Sequence, residues 1–211
     1  MADSLSLTAA PSLSPGFRLT SDPDELLLIR IGRGDMAAVS TLVSRKMPKL
    51  LSLARRMLGD ASEAEDVAQE TLLRTWKQAA NWVPGKARID TWMHRVALNL
   101  CYDRLRRRRD SVSSDEIEIA DSRDSAHIQI EQAQSARRLQ AAIAALPERQ
   151  RTAITLSYYQ EMSNIDGAAL MGVSVEALES LLARARRNLR DAMKDHDSMN
   201  PAKATKAGRT Q

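Results

Sequence analysis

The sequence predicts an all-α protein made of two small helical domains joined by a flexible linker. Alanine, leucine, arginine and glutamate dominate the chain, hydrophobic residues make up 43% of it, and aromatic residues only 3%. This composition favours helices. Apolar residues recur at helical spacing in two long stretches, and an acidic stretch without that periodicity separates them. Proline and glycine divide each stretch into helices.

The expected organisation has five segments, and the chain would bury two cores rather than one. We expect a disordered arm over 1–21, a first domain over 22–110, an acidic linker over 111–132, a second domain over 133–194 and a disordered tail over 195–211.

The first domain begins with two helices that resemble scaffold. Ser21 and Asp22 precede Pro23 as a helix entry, and Leu26, Leu27 and Ile31 form an apolar stripe. After Asp35, a second helix carries Met36, Val39, Leu42 and Val43 at helical spacing, and Pro48 is expected to kink or divide it.

A third helix has two contrasting faces. Ser62 and Glu65 suggest a capping box at its start. One arc forms the expected core side: Ala68, Thr71, Leu72, Thr75 and Trp76. The opposite arc holds Asp66, Gln69, Glu70, Leu73 and Lys77. A leucine among carboxylates and an amide fits either a solvated face or a protein-binding surface.

A loop and a basic helix follow. The loop over 81–88 offers Asn81, Trp82 and Arg88, which could hold an unstacked base, although Trp82 could equally fill the core. Asp90 or Thr91 is expected to cap the fourth helix. Its polar arc holds Thr91, Arg95, Asn99, Tyr102, Asp103 and Arg106, a pattern suited to phosphates and bases. The arginine cluster over 104–109 fits a polyanionic partner or an ordinary solvated helix end.

The second domain contains a helix-turn-helix pattern. Leu139, Ile143 and Leu146 are expected to face inward, and a helix over 148–160 follows Pro147. A short helix over 164–171 then leads through Gly172 to a last helix capped by Ser174. That helix turns Leu178, Leu181, Leu182, Ala185 and Leu189 inward, and Glu176, Ser180, Arg184, Arg187 and Arg190 outward. An outward polar and cationic face suits the major groove.

Several kinds of chemistry find no support in the sequence. Phosphate-binding loops, paired Cys/His ligands and nucleophile triads are not recognisable, so we expect no enzyme, metal or cofactor. Cys101 is the single cysteine and is expected to be buried, and His94 is expected to be structural. Without an apolar run of about 20 residues or a signal-peptide pattern, a reducing, cytoplasmic setting is expected.

The motifs EAEDVAQETLLRTW and DTWMHRVALNLCYDRLRRRR resemble region 2 of the extracytoplasmic-function (group IV) bacterial sigma factors. LPERQRTAITLSYYQEMS and the helix-turn-helix resemble their region 4. The resemblance implies a sigma factor that binds core RNA polymerase at its β′ clamp and β flap, melts the promoter −10 element and reads the −35 element. An anti-sigma factor and a stress signal are implied as well.

The resemblance also implies three sets of contact residues. The polymerase set is Asp66, Gln69, Glu70 and Leu73. The −10 set is Asn81, Trp82, Arg88, Trp92, Arg95, Asn99 and Arg106. The −35 set is Ser174, Glu176, Ala177, Ser180, Arg184 and Arg187.

Two departures and one linker hypothesis qualify this resemblance. The family's Glu-Ile-Ala triplet is Asp166-Gly167-Ala168 here, and its Thr-Val-Lys-Ser-Arg run is replaced by ALESL from Ala177. A carboxylate at Glu179 repels DNA, so −35 binding could be weak, reoriented, or dependent on the arginines that follow, and Leu181 could instead serve a protein regulator. The linker carboxylates Asp115, Glu116 and Glu118 could imitate RNA phosphates or belong to a solvated tether.

Two other functions remain possible from the residues alone. A free-standing helix-turn-helix regulator would use the second domain without polymerase. A DNA-processing enzyme such as a recombinase would need an active site that the sequence does not present.

Overall fold

The computed structural model describes residues 23–85, 88–112 and 129–198. Within these ranges the chain is helical and contains no strand, which confirms the all-α prediction. The arm over 1–21, Ser21 and Asp22, most of the acidic linker and the end of the tail lie outside the described residues, and so do Asp115, Glu116 and Glu118.

The helices fall into two groups along the chain. The N-terminal bundle contains α1 (Pro23–Gly32), α2 (Met36–Leu58), α3 (Ala61–Ala79) and α4 (Ile89–Val112). The C-terminal bundle contains α5 (Gln129–Ala144), α6 (Glu148–Ile154), α7 (Asn164–Met171) and α8 (Val175–Ser198), with a π-helical turn (Thr155–Tyr159) after α6. Helices α5 and α8 extend beyond the predicted limits at 133 and 194.

Helix α2 is the central element of the N-terminal bundle, because α1, α3 and α4 all pack against it. Its buried side chains include Leu50, Leu53 and Met57, each at most 2% exposed. Pro48 was expected to kink or divide this helix; it lies inside a continuous helix of 23 residues, so it does not divide it. Packing on several sides outweighs the one backbone hydrogen bond that proline removes.

Two predicted helix starts are wrong. Asp60 caps α3 by accepting a hydrogen bond from the Glu63 N–H at 2.8 Å, so Ser62 lies within the first turn and is exposed. Helix α4 begins at Ile89, and the Asp90 carboxylate binds Lys46 instead of capping the helix. Each helix begins two or three residues earlier than the pattern of capping residues suggested.

Leu139, which was predicted to face inward, is exposed, and so are Leu26 and Met36 of the predicted apolar stripes. Leu26 is 47% exposed, and Leu27 and Leu28 take the core positions of α1. Met36 is 65% exposed because it is the first residue of α2, and Leu139 is 36% exposed on α5. Ile143 and Leu146 are buried as predicted.

The helix-turn-helix is confirmed in the C-terminal bundle. Ser163 caps α7, Gly172 ends it in the left-handed conformation (φ 63°), and Ser174 accepts a hydrogen bond from the Ala177 N–H at 3.2 Å. Helix α8 buries Leu178, Leu182 and Ala185 against α6 and α7, and Leu181 and Leu189 pack at the edge of this core.

The missing isoleucine of α7 has a structural counterpart in α8. A Cβ atom at Gly167 would lie 3.3 Å from Leu178 Cδ2, and Leu178 is fully buried. Leu178 stands where the family run carries the smaller valine. The larger residue on α8 therefore fills the space that glycine leaves on α7.

This complementarity predicts a strong coupling between the two positions. Gly167→Ile alone overfills the core and is expected to cost about 1–3 kcal/mol of unfolding free energy. Leu178→Val alone leaves a cavity that costs about 1 kcal/mol. The double variant should recover at least about 1 kcal/mol of their sum, measured by urea denaturation. Additive effects of the two changes would contradict this packing.

The two bundles pack against each other directly. Leu156 of the π-helical turn is fully buried in the N-terminal core. Arg151 donates hydrogen bonds to the Met57 carbonyl at 2.6 Å and to the Leu146 carbonyl at 3.2 Å, and burial lowers its pKa. The Arg56 guanidinium lies 3.6 Å from the centroid of the Tyr159 ring.

Helix α4 takes part in the same interface. The Tyr102 hydroxyl lies 2.9 Å from Thr152 Oγ1, and burial, which outweighs this hydrogen bond, raises the pKa of Tyr102. His94 is buried between the Asp90 carbonyl at 2.6 Å and Gln160 Oε1 at 3.1 Å, consistent with a structural role. Tyr102 is thus bound to the C-terminal bundle and does not join the polar arc predicted for it.

Candidate nucleic-acid and protein interfaces

The outward face of α3 combines exposed apolar side chains with acidic and amide groups. Leu73 is 38% exposed and lies on the same side as exposed Asp66 and Gln69. Glu70 accepts a hydrogen bond from the Arg74 Nε atom at 2.7 Å, and this contact holds the pKa of Glu70 below its usual value. All four residues of the predicted polymerase set therefore lie on one accessible surface.

Trp76 belongs to this surface and not to the core. Its side chain is 52% exposed, so the prediction that it faces inward is wrong. The core side at this level is taken by Thr75 and Ala79, which are buried, and the Thr75 hydroxyl donates to the Thr71 carbonyl at 2.8 Å. Because Trp76 is three residues after Leu73, the two side chains are neighbours on the helix.

The loop between α3 and α4 contains a fixed tryptophan. The Trp82 indole N–H donates to Glu25 Oε1 at 3.3 Å, and the Gly85 N–H donates to the same oxygen at 2.6 Å. The rings of Trp82 and Trp92 meet edge to face, with centroids 6.2 Å apart. Trp82 is partly buried in this contact, as expected of a residue that fills the core. It is also partly accessible, as expected of a residue that captures a base.

Exposed groups surround the two tryptophans. Asn81, Val83 and Pro84 are exposed before Gly85, and Arg88 is exposed directly before α4. The side chains of Lys86 and Ala87 lie outside the described residues. Asn81, Trp82, Arg88 and Trp92 thus lie along one short stretch of the chain at the start of α4.

A charged network fixes the base of this loop. Lys46 of α2 is 7% exposed and forms ion pairs with both Asp24 of α1 and Asp90 of α4. Arg45 adds a second contact to Asp24 at 2.9 Å. Burial acts to raise the pKa of Asp24, but the hydrogen bonds from Lys46 and Arg45 outweigh it and the pKa is lowered. For Lys46, burial is outweighed by the two carboxylates, and its pKa is raised.

The lowered pKa of Asp24 predicts an acid-sensitive fold. A carboxylate whose pKa is lower in the folded state adds stability above its unfolded pKa, and this contribution disappears as the pH falls through the folded value. The free energy of unfolding of the parent chain should therefore exceed that of Asp24→Asn near neutral pH, and the difference should shrink below pH 3.8. Asp103→Asn, which removes an exposed pair with Arg106, should change stability little at any pH. A pH-independent difference for Asp24→Asn would contradict the assignment.

Helix α4 carries an exposed row that leads away from the loop. Arg95, Asn99 and Arg106 are exposed and follow one another at steps of four and seven residues. Arg106 also pairs with Asp103 at 2.8 Å. A row of guanidinium and amide groups on one face can contact phosphates and base edges.

The arginine cluster at the end of α4 serves two purposes. Arg108 donates to the Leu58 carbonyl at 2.8 Å and pairs with Glu63 at 2.9 Å, so it joins α4 to the α2–α3 turn. Arg109 pairs with Glu148 at 3.2 Å and joins the two bundles. The cluster is therefore partly structural.

Helix α8 presents a face of mixed charge. Ser174, Glu176, Ala177, Ser180, Arg184 and Arg187 are all exposed. Hydrogen bonds from its own backbone N–H and from Ser174 lower the pKa of Glu176. Glu179 accepts a hydrogen bond from Asn164 Nδ2 at 3.2 Å, which directs its carboxylate toward α7.

Other chemistry is not visible in the described ranges. Cys101 is fully buried, and burial raises its pKa to about 12, so it is not a reactive thiolate. No cluster of three metal-ligating side chains occurs among the described residues. None of the helices in those ranges is long and apolar enough to span a membrane.

Comparisons with known proteins agree with this arrangement. The family described as Sigma-70 region 2 matches residues 42–111, and the family described as Sigma-70, region 4 matches residues 136–189. RNA polymerase sigma-H factor of Pseudomonas aeruginosa is 33% identical over 187 residues, which cover 83% of this chain and 96% of that protein. The ECF RNA polymerase sigma factor SigM of Mycobacterium tuberculosis is 30% identical, with 85% and 88% covered. The chain belongs to the extracytoplasmic-function sigma factors.

A solved structure supports the same conclusion for the fold of this sigma factor. CnrH, solved in complex with the cytosolic domain of CnrY, is 27% identical with a TM-score of 0.61, and the match covers 83% of this chain and 99% of CnrH. Region 2 thus corresponds to α2–α4 and region 4 to α5–α8. As a sigma factor, the protein binds core RNA polymerase and promoter DNA to initiate transcription.

Two residues of this sigma factor that belong to its candidate interfaces could not be predicted from the sequence: Trp76 on the outward face of α3, and Glu25, which binds the loop between α3 and α4. Trp76 lies at the border between the two arcs of α3, where periodicity alone does not decide whether a large ring turns inward. Glu25 resembles an ordinary acidic residue in a first helical turn, a favourable position for a carboxylate on any helix. Only the structure shows that Glu25 reaches a loop 57 residues later.

Proposed function

We propose that this sigma factor holds core RNA polymerase through the outward face of α3. Leu73 and Trp76 supply apolar anchors, and Asp66, Gln69 and Glu70 surround them with polar groups. Binding energy at protein interfaces concentrates in such aromatic and apolar anchors with a polar rim. The exposure of two large apolar side chains on one face of α3, Trp76 at 52% and Leu73 at 38%, is the observation that carries this proposal.

The same bundle would melt and hold the −10 element. In this proposal Asn81, Trp82 and Arg88 line the site that accepts a base displaced from the stack. The rest of the opened strand follows α4 along Trp92, Arg95, Asn99 and Arg106. Promoter opening uses only the energy of binding to the opened strand, so the protein acts as a non-enzymatic initiation factor.

Region 4 would recognise the −35 element through α8 and contact the β flap. The proposed DNA contacts are Ser174, Glu176, Ala177, Ser180, Arg184 and Arg187. Arg184 and Arg187 supply most of the attraction to phosphates, because Glu179 stands where the family run carries lysine. The hydrogen bond from Asn164 to Glu179 turns that carboxylate toward α7 and supports this division of roles.

An anti-sigma factor is proposed as the regulator, acting in the cytoplasm until a stress signal releases the sigma factor. The complex of CnrH with the cytosolic domain of CnrY supports a protein partner for this fold. Such a partner should compete with core polymerase for this chain in a binding assay. Simultaneous binding of both, with transcription unchanged, would count against it.

The experiment that tests the function combines two steps. Transcript starts are mapped after overproduction of the protein, and the promoters found are then transcribed in vitro with purified core enzyme. The proposal expects new start sites whose transcription in vitro requires both core enzyme and this protein. Start sites that the purified protein cannot reproduce with core enzyme would favour a regulator that does not act through polymerase.

A further inference from the structure

Two adjacent carboxylates in the first turn of α1 are buried. Asp24 is 8% exposed and Glu25 is 3% exposed, although α1 provides none of the residues proposed to touch DNA or polymerase. Burying a carboxylate is costly unless other groups bind it. Both side chains have partners: Glu25 binds the loop between α3 and α4 directly, and Asp24 is connected to the end of that loop through Lys46.

Glu25 holds the first part of this loop. Its Oε1 atom accepts hydrogen bonds from the side chain of Trp82 at 3.3 Å and from the backbone of Gly85 at 2.6 Å. Gly85 has a φ of +77°, a conformation that glycine adopts without strain. One carboxylate oxygen thus fixes both the indole edge and the turn that follows it.

Asp24 holds the end of the loop indirectly. It pairs with Lys46, and Lys46 also pairs with Asp90 in the first turn of α4. Ile89, next to Asp90, is fully buried. Trp82 and Gly85 within the loop, and Asp90 just after it, are thus all connected to the first turn of α1.

The second oxygen of Glu25 indicates that the bonds to the loop are more than a stabilising device. Glu25 Oε2 is buried and has no hydrogen-bond partner among the described residues. An unpaired buried acceptor is destabilising, and an apolar side chain of similar size would avoid that cost. The core of α1 is already secured by Leu28 and Ile31, which are 0% and 3% exposed.

We propose that Glu25 is a positioning residue for promoter opening, one that sets the orientation of Trp82 before DNA arrives. A ring that is already oriented loses less entropy when a base stacks on it, so opening is faster. The inference rests on the proposed role of Trp82 in the −10 site. It adds α1, which provides none of the proposed DNA contacts, to the machinery that opens the promoter.

The test compares three variants of the full chain in holoenzyme with core polymerase. Glu25→Ala removes both hydrogen bonds to the loop. Glu25→Gln keeps a carbonyl oxygen that can accept them. Leu28→Ala weakens α1 but removes neither hydrogen bond between Glu25 and the loop. All variants are compared at a temperature where circular dichroism shows them folded.

The measurements separate opening from earlier steps. Permanganate reactivity of thymines in the −10 region gives the opening rate, and gel-shift titration gives the affinity of the initial complex. Glu25→Ala should lower the opening rate about tenfold, as expected for the loss of hydrogen bonds to a charged acceptor. Its affinities for core enzyme and for the closed promoter should stay unchanged. Glu25→Gln should retain most of the opening rate, and Leu28→Ala should open normally.

If wild-type holoenzyme opens the promoter, any of three results would overturn the inference. Glu25→Ala could open the promoter at the normal rate, Leu28→Ala could be as slow as Glu25→Ala, or Glu25→Gln could be as slow as Glu25→Ala. Absence of opening by wild-type holoenzyme would overturn the proposed function itself, and this inference with it.

Discussion

Replacing Asp66 with arginine is expected to abolish binding of core RNA polymerase and to leave the fold intact. Asp66 is exposed on α3, and it lies beside Leu73 on the surface proposed to meet the polymerase clamp. A reversed charge inside an interface places like charges together or leaves a partner unpaired. We expect the affinity for core enzyme to fall by about a hundredfold or more, measured by fluorescence anisotropy.

Glu65→Arg provides the matched control. It makes the same charge change at the adjacent position of the same helix, where Glu65 pairs with Arg55 of α2 at 3.5 Å across the surface. Losing such an exposed pair costs little. Equal loss of affinity in both variants would indicate a general electrostatic effect. Full affinity in Asp66→Arg would remove α3 from the polymerase interface.

Replacing Trp82 with alanine is expected to impair promoter opening far more than initial binding. Stacking of a base on an aromatic ring is worth about 1–3 kcal/mol, which corresponds to a decrease of about tenfold to a hundredfold in the open fraction. Closed-promoter binding should change little, because the exposed arginines of α4 and α8 remain. Permanganate footprinting and gel shifts measure the two quantities on the same promoter.

Trp82→Phe separates the ring from its hydrogen bond. Phenylalanine keeps an aromatic face but cannot donate to Glu25, so its defect should lie between those of wild type and alanine. Normal opening by Trp82→Ala would show that Trp82 only fills the space beside Trp92. In that case base capture would have to be assigned to other groups of the loop.

The sequence predicted what depends on short-range patterns. The period of apolar residues located the helices, and Gly172 with Ser174 located the turn of the helix-turn-helix. Such features depend on residues within a few positions of one another, and each has a distinct local pattern. Even there, the capping-box spacing from Ser62 to Glu65 favoured Ser62, whereas Asp60 caps the helix.

Long-range contacts were beyond the sequence. The bond from Trp82 to Glu25 spans 57 positions, and the bond from Lys46 to Asp90 spans 44. The charged residues in these contacts are types that are ordinary on a protein surface. The packing between the bundles is similar, because nothing local marks Thr152 as the partner of Tyr102. Gly167 replaces the isoleucine of the family's triplet, and Leu178 of α8 lies beside it. A single position cannot reveal a compensating change on another helix.

One bundle of this sigma factor is expected to hold polymerase on α3 and the opened strand on the following loop and helix. Permanganate footprinting of a core-dependent promoter, with wild type, Asp66→Arg and Trp82→Ala in parallel, measures both roles. We expect reactive thymines near −10 with wild-type holoenzyme, none with Asp66→Arg because no holoenzyme forms, and strongly reduced reactivity with Trp82→Ala although holoenzyme forms and binds. Equal thymine reactivity for all three proteins would show that neither Asp66 nor Trp82 has the role proposed for it.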